Sequence, residues 1–277
     1  GYNNVTGTNN TNIGAYASFG GTGSNSGNTA VGMNALMDVT SGGQNVMVGY
    51  QSGTDITIGR YNTAVGTQAL FKDDVGDSST AIGYNSLYNQ NIAGGSNVTT
   101  GNTGVGMYSG YQNETGINNT YLGYQAGFGV SGNSHSGCVF VGTQAGLGAR
   151  TGAYNIAIGY GAMDDADADA TVGGSAENIF IGKDAGGGTW ITAASHSNIG
   201  IGNYVMDAVM NDAQSNTAMG YNAMSALTTG DENVVIGAQA GTTLSTGSDN
   251  VYIGVTAGNS GATNDGNIAI GFSAFNA

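Results

Sequence analysis

The chain contains no proline, one cysteine (Cys138) and four basic residues among 277. Without proline, and without glycine at every third place, it cannot wind as collagen. One cysteine excludes an intrachain disulfide framework. Arg60, Lys72, Arg150 and Lys183 face 18 acidic residues, for a net charge of −14. The clustered Lys and Arg that neutralise phosphates are missing, so no nucleic-acid partner is expected. Gly, Asn or Ser interrupts every apolar run, so neither a transmembrane helix nor membrane insertion is expected. Charged residues make up only 8% of the chain, yet 39% are apolar, which is not the composition of a disordered segment. No secretory leader is evident and the first residue is not Met, which reads as a mature chain or a fragment.

In place of these, the chain has 52 Gly and 32 Asn. At that density they oppose helix and argue against an ordinary enzyme fold. They are not scattered. The string Asn–(Thr/Val/Ile)–x–(Val/Ile)–Gly–x–x–(Ala/Ser) recurs fifteen times, with its glycine at 14, 32, 49, 66, 83, 106, 123, 142, 159, 182, 202, 220, 237, 254 and 271. The commonest spacing is 17 residues, and residues 1–277 read as a single repeat domain. Counting from the motif glycine, position −3 is always β-branched, and position −4 is Asn except at Ser79 and Cys138. Positions −3 and −1 share one strand face. The unit is too short for a strand–helix pair. It fits one coil of an all-β solenoid or β-roll, made of two short strands and two turns. Stacked about 4.8 Å apart, fifteen such coils would form a rod roughly 70 Å long. The motif glycine would turn a corner closed to a Cβ, and the Asn column would form a hydrogen-bonded ladder.

Positions −2 and +4 trade volume. Ala30, Ala64, Ala81, Ala157, Gly200, Ala218 and Ala269 accompany Leu36, Leu70, Leu87, Met163, Met206, Met224 and Phe275. Conversely, Met47, Tyr121, Phe140, Phe180, Val235 and Tyr252 accompany Gly53, Gly127, Gly146, Gly186, Gly241 and Gly258. A close-packed space takes one bulky group and not two, so each pair should meet in one buried compartment. Position −2 faces away from −3 and −1. If those two line the interior, the −2 compartment becomes an interface between chains, as in rolls packed about a three-fold axis. The alternative is a wider single-chain solenoid.

The strings NTAVG at Asn28 and Asn62, NTYLGYQAG at Asn119 and NIAIG at Asn267 resemble the head repeats of trimeric autotransporter adhesins. They are still more similar to the NTAIGYQAG-type repeats of phage tail-fibre and related surface-fibre proteins. The resemblance covers the whole chain, although adhesin heads use shorter coils of about fourteen residues. It implies a left-handed β-roll, intertwined or packed as a homotrimer, on a virion or cell surface. It also implies attachment to a host surface and no catalytic residue.

Longer spacings mark loops at 84–101, 160–177 and 183–197, and such insertions often form the binding face. The first holds Tyr84, Tyr88 and Asn89, residue types suited to stacking on sugars and bonding their hydroxyls. The second holds Asp164, Asp165, Asp167 and Asp169, whose carboxylates could present oxygens to Ca²⁺, the one candidate cofactor. Its alternative is a solvated acidic loop. The third holds Trp190 and His196. Trp190 is either a sugar platform or a cover for the core. No nucleophile elbow or phosphate loop occurs, so no enzyme is expected. The expected function is a fibre or adhesin segment, extracellular or on a virion, that displays loops to a cell-surface glycan or host receptor and adjoins neighbouring fibre proteins. A purely structural filament subunit is the alternative, and an ice-binding solenoid fits less well.

Overall fold

The computed structural model describes residues 3–20, 23–92, 98–165, 174–190 and 193–276. They fall into two compact units, Gly1–Gly137 and Cys138–Ala277, and no helix occurs among them. Both units are parallel β-solenoids. In the first, strands β1 (Thr11–Ile13), β2 (Thr29–Val31), β3 (Val46–Val48), β4 (Thr63–Val65), β6 (Thr80–Ile82), β8 (Thr103–Val105) and β9 (Thr120–Leu122) stack in that order. A second, two-stranded parallel sheet pairs β5 (Gly76–Asp77) with β7 (Val98–Thr99). In the second unit, β10 (Val139–Val141), β11 (Ile156–Ile158), β12 (Ile179–Ile181), β13 (Ile199–Ile201), β14 (Thr217–Met219), β15 (Val234–Ile236), β16 (Val251–Ile253) and β17 (Ile268–Ile270) do the same.

Each of these fifteen stacked strands is one motif copy, spanning positions −3 to −1. Register is exact by motif position, for example Val46↔Thr63, Met47↔Ala64 and Val48↔Val65. Most coils contribute this one three-residue strand rather than two, because the other side of the coil is made of turns. These turns rest on left-handed backbone at three recurring places. In the third coil and its neighbours they are position −5 (Gln44, φ 59°), +2 (Gln51, φ 56°) and +4 (Leu36 and Leu70, both φ 52°). A side chain in that region costs roughly 1 kcal/mol, offset here by hydrogen bonds to the next coil, such as Leu36 N–H to Ser52 O at 2.9 Å. The motif glycine has a stricter need. Gly66 lies at φ +140°, and a Cβ there would stand 2.5 Å from the carbonyl oxygen of Gly83 stacked beside it.

The Asn column is a ladder of buried amides. Asn28 Oδ1 accepts from the Asn45 backbone N–H at 2.9 Å and from Asn45 Nδ2 at 3.2 Å. Asn45 Nδ2 also donates to Gly59 O at 2.9 Å, satisfying a carbonyl on the far turn. The pattern recurs in the second unit, as at Asn198, Asn216 and Asn233. Its two exceptions are compensated. Cys138 aims Sγ at Gly152 O, 3.6 Å away, the carbonyl an Asn would reach. At Ser79 the shorter side chain pairs with Thr100. Gln90, itself fully buried, donates to Ser79 Oγ at 3.0 Å and accepts from Asn102 Nδ2 at 2.9 Å. Gln90 Nε2 also donates to the buried Asp73 carboxylate at 2.9 Å. Burial pushes the Asp73 carboxyl up to about 7.

The volume exchange fills the interior of each unit. Leu36, Met47, Leu70, Leu87, Tyr121, Phe140, Met163, Phe180, Met206, Met224, Val235 and Tyr252 are at most 2% exposed. A Cβ at Gly53 would stand 2.5 Å from Met47 Sδ and 3.1 Å from Ile56 Cδ1. Phe275 is a correction. It is 44% exposed, because no further coil among the described residues lies over it, although its ring still packs 6.1 Å from that of Tyr252.

The compartments themselves are a larger correction. The −2/+4 space is the interior of the single chain, and the −3 and −1 side chains point outward. Strand after strand shows a buried middle residue between two half-buried or exposed ones. The alternation by itself marks two faces without saying which one the chain curls around. The left-handed turns decide it, by swinging +4 back under −2.

Candidate functional site

The outer sheet face is the most unusual surface of either unit. In the second unit it carries Ile199, Met219, Val234, Ile236, Ile268 and Ile270, all at least 36% exposed, with Tyr160, Tyr221, Val255 and Phe272 beside them at position +1. In the first unit the equivalent places hold Ile13, Val46, Val65, Ile82 and Leu122, with Met33, Tyr50, Tyr84, Met107 and Tyr124 at +1. No −3 or −1 residue is charged. Lone exposed apolar residues are ordinary, but contiguous apolar patches beyond several hundred Å² mark contact surfaces.

The residues predicted as ligand contacts behave differently from one another. Tyr84 is 43% exposed and meets Tyr108 edge-on, with centroids 5.3 Å apart. Tyr88 lies in a stack of four rings, Phe71, Tyr88, Tyr111 and Phe128, with centroids 5.0, 5.3 and 5.1 Å apart. Both faces of Tyr88 are therefore covered, and a sugar could not stack on it. Lys72 Nζ caps the cluster 5.5 Å from the same ring. Asn89 is 8% exposed and its amide donates to Gln112 Oε1 at 2.9 Å. All three occupy regular coil positions (+1, +5 and +6) rather than an inserted loop.

Trp190 is 2% exposed and packs 5.8 Å from the Phe180 ring. It covers core and offers no platform. His196 is half-buried, and its Nδ1 accepts from the Ala176 backbone N–H at 3.1 Å. His135, in the first unit, is buried with Nε2 2.7 Å from the Tyr121 hydroxyl. Asp167 and Asp169 lie outside the described residues. Asp164 is half-buried, and its carboxyl is raised to about 6, first by desolvation and then by Asp165 and Asp184. Asp165 Oδ2 accepts from Thr189 Oγ1 at 3.3 Å. Among the described residues no group of three or more His, Cys, Asp or Glu is placed to hold a metal ion.

Sequence reasoning missed the outer face because it took both faces of the strand to be covered. The available signal was position +1, where Tyr, Met, Phe and Val recur on a chain otherwise rich in Asn and Gly. Compared with protein-family models and with curated proteins, the chain has no match.

Proposed function

We propose that the chain is a non-enzymatic segment of an extracellular or virion-surface fibre or adhesin. It assembles as a homotrimer through its outer sheet faces and presents its turns to host-surface glycans. The observation that carries this reading is the exposed, uncharged β-branched face. Of the sixteen −3 and −1 residues of the second unit, six are at least 36% exposed and none is charged, which is the character of a surface that packs against a partner. On a chain of net charge −14, this uncharged face is also where copies approach with least repulsion. A closed ring of identical faces buries them without open-ended growth. The display of turns multiplies individually weak contacts by avidity.

The test is the mass of the particle by light scattering and sedimentation. The native chain should run as a trimer of 27.5 kDa protomers. Leu122→Lys with Ile236→Lys should give folded monomers, since both side chains point outward. A native monomer at micromolar concentration would overturn the reading. Growth without a plateau would replace it with an end-to-end filament.

A further inference from the structure

The first unit contains an open groove of about 310 Å³, lined by Asn9, Ser24, Ser26, Ser41, Gln44 and Tyr61, with Arg60 at one edge and Gly27 and Gly43 as its floor. Its origin is visible in the stacking. Position −5 reads Asn9, Gly27, Gln44 and Tyr61 in successive coils, and position −6 reads Thr8, Ser26, Gly43 and Arg60. Two side chains are missing from adjacent ladders, and the surface is dented there. The volume lies at the lower end of small-molecule sites.

The groups around the dent are available. Elsewhere, amides in one column bond each other, as Gln68 Nε2 does to Gln51 Oε1 at 3.0 Å. The side chains of Asn9, Ser24, Ser41 and Gln44 make no hydrogen bond to another described residue. Tyr61 is 55% exposed, in contrast to the enclosed Tyr88. Arg60 lies 5.9 Å from the Tyr61 centroid, with Nη2 3.6 Å from Asp77 Oδ2. The pair brings no net charge to the groove, and the acidic chain repels anions at long range.

We propose that this groove binds a neutral oligosaccharide. Tyr61 takes the apolar face of a pyranose ring, and the Asn9, Gln44 and serine groups, which both donate and accept, bond its hydroxyls. The inference deepens the host-glycan reading and rests on it. The groove lies within one unit, so its test does not depend on the oligomeric state.

The experiment screens the full-length chain against a panel of neutral hexose and N-acetylhexosamine oligosaccharides and their sialylated counterparts, followed by titration calorimetry. Tyr61→Ala removes the platform. Gly27→Asn fills the floor without disturbing the coil, because Gln44 and Tyr61 already hold side chains at φ 59° and 61° in that column. A Cβ at Gly27 would meet only Gln44, its Cγ at 3.4 Å and its backbone Cα and N at an ordinary 3.8 Å. Tyr154→Ala, 65% exposed in the same column of the second unit, is the control. At least tenfold weaker binding of a neutral glycan in the first two variants, with the control unchanged, supports the proposal. Binding unaffected by Tyr61→Ala and Gly27→Asn overturns the groove while leaving the fibre reading intact. Sialylated ligands alone, or no panel member binding at 10 mM, overturns the proposed ligand class.

Discussion

The exchange of bulk between positions −2 and +4 permits a quantitative test at Met47 and Gly53. Met47 is fully buried, and its coil lies between two of the opposite kind, Ala30/Leu36 and Ala64/Leu70. Met47→Ala alone leaves a cavity costing about 3 kcal/mol, within the usual range for buried Met. Gly53→Leu alone drives a side chain into Met47 Sδ, 2.5 Å from the new Cβ, and toward Ile56 Cδ1 at 3.1 Å. Overpacking of this kind costs about 2 kcal/mol. The double variant recreates the Ala/Leu coil found next door, with Leu at φ +58° where Leu70 sits at +52°. It should cost only about 1 kcal/mol, the strain of a left-handed Leu that Gly53→Leu alone also bears, so the strain cancels and the coupling is about 5 kcal/mol. Urea titrations followed by circular dichroism, at one protein concentration because association adds stability, measure all four corners. Additivity within about 0.5 kcal/mol would mean that the two side chains do not share a compartment, and the packing argument would fail.

Asn216→Ala should destabilise the second unit by about 3 kcal/mol, because it strips the Asn233 backbone N–H and the Gly230 carbonyl of their buried partner; an unchanged urea midpoint would dismiss the ladder as a stabilising element. For Asp73, the folded carboxyl at about 7 lies above the unfolded value of about 3.9. Between them the folded state keeps a proton that the unfolded chain has lost, so stability falls as pH rises from about 4 to about 7 and is level above. Asp164, raised to about 6, adds a slope of the same sign below about pH 6, so Asp73→Asn should reduce the slope and flatten it between about pH 6 and 7; a slope unchanged in the variant would refute the assignment. Trp190, the single Trp and 2% exposed, should emit in the blue and resist acrylamide until the protein unfolds. Trp190→Ala should lower stability by about 3–5 kcal/mol; a red, readily quenched native spectrum would contradict its place against Phe180.

The period, the register and the roles of individual columns were legible in the sequence because each is a local demand repeated fifteen times. The motif glycine meets the carbonyl of its own counterpart, the Asn amide bonds its own counterpart, and a Met or Tyr at −2 admits only Gly at +4. The ladder's exceptions were legible as exceptions, but their repair was not. Nothing in the string links Ser79 to Gln90, Thr100 and Asp73, which meet only because coils of unequal length stack in register. The candidate sites fared less well for a similar reason. Tyr88, Asn89 and Trp190 were marked by residue type and by position near longer spacings, whereas stacking on Phe71, Tyr111, Gln112 and Phe180 determined that all three are covered.

The sequence by itself determined a parallel β-solenoid, because a fixed period with β-branched, glycine and Asn columns has no other way to satisfy its backbone. Only the tertiary structure decided which face is inside. Strand alternation separates −2 from −3 and −1 and is silent about curvature. The left-handed residues at +2, +4 and −5, most of them not glycine, turn the chain toward −2. They leave the Ile and Val columns facing outward, and a dent where Gly27 and Gly43 leave two neighbouring ladders without a side chain.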